Sequence, residues 1–247
     1  MTFRINTSSR RVVAPARVAV LWLALSALHG IAAAPQEGRA TTRPPAWSLA
    51  HPSSPAKPAG AGGFIQRWLL LEPIRVPGQL TETAVRAAVE TDFAVPSTPL
   101  PREGDKVKVG EVEVVWHAVD TLNYNVNLYH FAYALNKPTT NVLFWAVTVV
   151  NSPREMTDVR LAIGSNAASV WWVNDREVTA LYNDRQAVVD DGVSKRLTLH
   201  KGANVIRVAI INAGGATDFC ARFLDENDRP LTTLTATLTA DGRETRR

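Results

Sequence analysis

A single cysteine, Cys220, stands in the whole sequence, which excludes an internal disulfide and a cysteine-rich zinc cluster. It lies inside a strand-like run and reads as a small buried hydrophobe. At 247 residues the chain is long enough to bury a core without covalent staples. Histidine is scarce too: His29, His51, His117, His130 and His200. Also missing is an apolar run of the roughly twenty residues that a membrane-spanning helix needs; the best candidate, Val18 to Leu28, reaches about eleven.

Signature motifs are lacking as well. Gly192-Val193-Ser194-Lys195-Arg196 has no second glycine and is not a nucleophile elbow. No Walker loop, dinucleotide fingerprint or His-Glu-x-x-His occurs. Triads are recognised by geometry and not by sequence order, so these absences weigh against the common hydrolase folds more than against enzymes in general. No catalytic residue is therefore assigned. Excess charge is absent once it is placed along the chain. The net +4 comes from Arg4, Arg10, Arg11 and Arg17, and residues 1–34 hold no acid. Of 27 basic residues, removing these four leaves 23 against 23 acidic ones, so no footprint for a nucleic acid remains.

What is present begins with a leader. Arginines, a short apolar core and Ala32-Ala33-Ala34 predict a signal peptide over residues 1–34, directing the protein to the periplasm or medium with no membrane span left afterwards. Residues 35–62 hold Pro35, Pro44, Pro45, Pro52, Pro55 and Pro58 among Ser, Ala and Gly. With no apolar period, this stretch is expected to be a linker that can be removed without loss of stability.

From Phe64 the pattern turns to strands. Residues 63–240 are predicted to form one domain and 241–247 a polar tail. Leu80 to Phe93, with Val85, Ala88 and Val89 at helical spacing, is the only plausible helix. Asn127 to Leu135 and Asn141 to Val150 read as strands, the second apolar on both parities as in a strand covered on both faces. Val170 to Val178 reads as a hairpin turning at Asn174-Asp175. Alternating runs continue through Leu199, Ile210 and Phe223. Short strands with a turn every 8–12 residues predict an all-β sandwich or barrel.

The most site-like segment is 165–191. Trp171 and Trp172 point to opposite faces of a regular strand, so one can be core while the other is exposed. An exposed Trp or Tyr182 offers a sugar ring a flat apolar platform, with Arg185, Asp190 and Asp191 to bond its hydroxyls. The competing reading is that both tryptophans are core and the charges are solvated turn residues. Asp190-Asp191 also admits a structural calcium ion, or half of a glycosidase pair with Glu72 or Asp184. No other cofactor is implied. An esterase site would pair one of Ser165, Ser169 or Ser194 with one of His117, His130 or His200, and no motif supports such a pair.

Trp172-Val173-Asn174-Asp175, Asp190-Asp191, Leu199-His200-Lys201-Gly202-Ala203-Asn204 and Phe219 to Asp225 resemble the galactose-binding-like jelly-roll modules that accompany bacterial glycoside hydrolases and carbohydrate esterases. Asp175 stands where that group usually has glycine. Phe64 to Ile74, Gly104-Asp105-Lys106-Val107, Trp116-His117-Ala118 and Leu143 to Val147 look like small secreted proteins labelled acetylxylan esterases. The resemblance implies a jelly-roll β-sandwich acting on or beside a xylan-type polysaccharide, with a carbohydrate-active enzyme as a possible partner. Three functions follow as expectations: a non-catalytic carbohydrate-binding module, a carbohydrate O-acetylesterase, or a protein-interaction sandwich of the cell envelope.

Overall fold

The computed structural model describes residues 49–90, 99–183 and 186–240. The chain divides after Thr41, and all of these residues belong to the second unit, Thr42–Arg247. The expected leader, residues 35–48 of the expected linker and the tail 241–247 lie outside the described residues. Among the described residues no helix is long and apolar enough to cross a membrane.

The domain is a β-sandwich of two antiparallel sheets, as the strand spacing predicts. In the larger sheet β1 (Leu49–Ala50), β6 (Val112–Thr121), β3 (Arg67–Leu71), β8 (Val142–Ser152), β14 (Gly202–Asn212), β10 (Ala168–Val173) and β11 (Arg176–Leu181) lie side by side in that order. β2 (Lys57–Pro58) and β16 (Thr235–Thr237) pair with each other, and β16 also pairs with β8. β4 (Ile74–Arg75) joins β8, and β5 (Lys106–Val109) joins β6. The smaller sheet runs β12 (Gly192–Val193), β9 (Met156–Ser165), β15 (Asp218–Leu224), β7 (Val126–Asn127), with β13 (Leu197–Leu199) also on β9.

Side-chain alternation assigns each face. On β8, Phe144 and Ala146 enter the core between the sheets, while Leu143, Trp145 and Val147 enter a second apolar layer on the outer face. That is why this strand is apolar on both parities. The inter-sheet core centres on Trp68, Trp171 and Phe219, whose rings meet edge to face at centroid distances of 5.0 to 6.3 Å. The outer layer is covered by α1 (Glu82–Val89), which inserts Val85 and Val89. The hairpin β10–β11 turns at Asn174 (φ 48°) and Asp175 (φ 65°), the left-handed pair that a two-residue turn of this kind requires. Asp fills the glycine position because its short polar side chain tolerates positive φ.

Two expectations are corrected. Asn127 to Leu135 is not a strand: after the two-residue β7 it forms a second helix, α2 (Leu128–Ala134). Asn127 caps it by accepting the His130 N–H through its side chain at 2.7 Å. At the other end Asn136 takes φ 55°, and Lys137 N–H reaches back to the Ala132 carbonyl at 2.9 Å, a left-handed helix stop. Nor is 49–62 a free linker. β1 and β2 hydrogen-bond to the large sheet, and the buried Arg67 side chain donates to the Ser54 carbonyl at 2.6 Å. Composition misses this because the prolines fall between the paired residues or at an edge, where a lost N–H costs nothing.

Candidate functional site

The expected aromatic surface is largely occupied by the protein itself. Trp171 is fully buried and donates its indole N–H to Ser169 Oγ at 3.0 Å, so it offers a ligand no face. Trp172 is half-buried on the outer face, with Trp145 5.7 Å away and the Arg207 guanidinium 5.5 Å from its ring centre. Tyr182 lies under the Arg86 guanidinium at 5.8 Å, and Arg86 in turn makes two bonds to Glu177 at 3.0 and 3.1 Å. These contacts clip α1 to β11. Arg185 and Asp184 lie outside the described residues. Asp190 is ion-paired with Arg222, which also sits over Phe64 and donates to the Gly62 carbonyl; Asp191 is exposed. Among the described residues no three His, Cys, Asp or Glu side chains gather as a metal site would need.

The serines named for an esterase are internal. Ser165 donates to the Ala167 carbonyl, Ser194 donates to the Lys195 carbonyl and accepts from Leu161 N–H, and Ser169 accepts from Trp171. All three are buried. His200 is exposed on the far turn, 3.9 Å from Glu155.

The helix that the sequence reading missed assembles a different site. Read as a strand, 127–135 would put Tyr129, Phe131 and Tyr133 on one side. As a helix it sends Phe131 into the core with Leu128 and Ala132, and brings Tyr129 and Tyr133 together one turn apart. Their rings are 6.1 Å apart and 12° from parallel, and both are half-buried. The His130 ring lies 6.2 Å from Tyr129 and also lines a pocket of about 250 Å³. Its other walls include His51, Glu103, His117, Phe131 and Leu135. The missed signal was Asn at both ends of a segment with no β-branched residue after Val126.

A charged network fixes His117. Glu72, buried at 6% exposure, lies 3.3 Å from His117 Nε2 and 2.8 Å from Lys137 Nζ, and accepts the Val115 N–H at 3.3 Å. Burial alone would raise the Glu72 pKa, but the hydrogen bonds and charges of Lys137 and His117 outweigh it and hold the carboxyl below its usual range. The imidazole edge meets Phe131 at 5.6 Å. Across the pocket mouth His51 Nε2 meets Glu103 at 3.0 Å. Imidazoles and a carboxylate around an apolar floor, beside two tyrosine rings, can bond hydroxyls while stacking on a ring.

No family profile matches the chain, and no curated protein matches it. Among solved structures, the PA14 domain of the antifreeze protein MpAFP is similar at 13% identity and a TM-score of 0.44, covering 72% of this chain and 93% of that one. The PA14 sugar-binding domain of an RTX adhesin is similar at 11% identity and a TM-score of 0.41, covering 70% and 99%. A β-glucosidase from Kluyveromyces marxianus is similar at 17% identity and 0.32, over 51% of this chain and 14% of the enzyme.

Proposed function

We propose that the protein is an exported, non-catalytic carbohydrate-binding module that works beside a polysaccharide-degrading enzyme, with xylan-type chains the first ligand to test. The observation that carries this reading is the α2 surface: Tyr129 and Tyr133 stacked beside His130, whose ring opens into the pocket walled by His51, Glu103 and His117. A sugar needs a flat apolar face to stack on and groups that both donate and accept at its rim. This surface has both.

The test is binding of the purified chain to a panel of polysaccharides and a glycan array, with Tyr133→Ala and Trp172→Ala compared. Loss of one stacking ring should cost about 1–2 kcal/mol, roughly tenfold in affinity, in Tyr133→Ala alone. If Trp172→Ala were the variant that lost binding, the site would lie on the β10–β11 surface instead. Binding to no glycan would overturn the reading, and acetate release from acetylated xylan would replace it with an esterase.

A further inference from the structure

The pocket beside α2 does not end at its own walls. His51, Glu103 and Ala118 line it and also line a larger groove of about 760 Å³ on its other side. The groove is bounded by Ser53 and Ser54, by Arg102 and Asp105, and by Leu69 beneath. His51 and Glu103, exposed side chains of the N-terminal segment and the turn before β5, meet at 3.0 Å where the two linings join. We infer that pocket and groove are one extended cleft for a glycan chain of several sugar units, with the pocket beside His130 and Phe131, flanked by the Tyr129 ring, as its first position and the Arg102–Asp105 turn as its last. This rests on the carbohydrate-binding reading above and names its ligand class as an oligosaccharide rather than a single sugar.

Size and chemistry both point this way. Pockets that enclose a whole drug-sized ligand run from about 300 to 1,000 Å³. The α2 pocket falls below that range and suits one ring, whereas the groove lies well inside it. Sugar hydroxyls donate and accept at once. The groove supplies guanidinium donors at Arg102, carboxylate acceptors at Glu103 and Asp105, and the Ser53 hydroxyl, which can do both. These are exposed, whereas the apolar surface beneath is the buried Leu69 and Ala118. One wall is the proline-rich stretch 51–55, held by Arg67, whose guanidinium donates to both the Ser54 carbonyl and its hydroxyl. The segment that composition marks as a tether is thus part of the binding surface.

The experiment is calorimetric titration of the full chain with a ladder from xylose to xylohexaose, and with the matching ladder of any other glycan the array reports. Affinity should climb at least tenfold between the disaccharide and the hexasaccharide. Arg102→Ala should remove most of that climb and leave the disaccharide unchanged, whereas Tyr133→Ala should weaken every member alike. Arg102 is exposed, and an unchanged circular dichroism spectrum will show that its variant folds. Equal affinity for disaccharide and hexasaccharide overturns the extended cleft and leaves the binding module standing. No binding by any ladder or array member overturns the module itself and the cleft with it.

Discussion

Inside the large sheet, Arg67 meets both carboxylate oxygens of Asp120, Nε to Oδ1 at 2.8 Å and Nη2 to Oδ2 at 3.0 Å. Arg67 is fully buried and Asp120 nearly so, with Lys57 3.5 Å from the same carboxylate. Removing one member of such a pair strands the other charge in a poor solvent. Arg67→Ala is expected to cost about 3–5 kcal/mol in urea unfolding, because it also leaves the Ser54 carbonyl without its donor. Arg67→Met, which keeps the volume, should cost no less unless Asp120 is changed to Asn as well.

Deleting residues up to Ala61 should likewise destabilise. A chain beginning at Gly62 loses β1, β2 and the acceptor for Arg67. Its melting temperature is expected to fall by more than about 4 °C, since in a domain of this size about 1 kcal/mol corresponds to roughly 2–4 °C. An unchanged melting temperature would mean that the sheet closes without these strands.

The outer face of the small sheet lies under the segment around Val188. A Cβ on Gly164 would come within 2.1 Å of the Val188 carbonyl oxygen and 3.1 Å of Cys220 Sγ. Backbone stands in the way, so Gly164→Ala must lift the segment. Cys220 reports this directly, being the only thiol in the sequence. Burial foremost, and then the charge of Asp190, pushes its pKa up to about 12, which keeps it a thiol at neutral pH. Wild-type protein should react with iodoacetamide at pH 8 only over hours, and Gly164→Ala at least tenfold faster. Equal rates would show that the segment does not shield the sulfur.

Two carboxyls should pull the pH dependence in opposite directions. Burial raises Asp218, with Asn125 Nδ2 2.5 Å from Oδ2 offsetting only part, while Oδ1 has no hydrogen-bond partner among the described residues. A raised pKa gives stability that is complete below the unfolded value near 3.8 and is lost as pH rises through the folded one. Asp218→Asn should therefore gain on the wild type as pH climbs from 4 to 7. The Glu72 pKa is lowered, so its contribution is present above the unfolded value near 4.5 and disappears as pH falls through the folded value. Glu72→Gln should be less stable than wild type at pH 7, and the gap should close toward pH 3. Parallel unfolding curves at every pH would contradict both assignments.

Fold was legible where a local pattern and a tertiary role coincide. Leu143 to Val150 announces a strand with two apolar faces because the residues that cover it are close-packed on both sides. Asn174-Asp175 announces its turn because positive φ selects those side chains. The site was less legible. Trp172 and Tyr182 look like free platforms in sequence, yet Arg207 and Arg86 reach them from β14 and α1, separations no local window contains. Tyr129 and Tyr133 were hidden by an alternation that mimics a strand. Two asparagine caps decide the matter, and they weigh little against a run of aromatics.

The short helix α2 divides its positions cleanly between two duties. Leu128, Phe131 and Ala132 belong to the packed interior, while the Asn127 side chain fixes one end and the left-handed Asn136 the other. The side chains of Tyr129, His130 and Tyr133 are half-buried and lie outside that core. Substitutions of these side chains leave the apolar residues beneath and the two asparagines in place. Under the proposed binding role, a lineage could exchange one ligand for another at these three sites with no compensating change in the core.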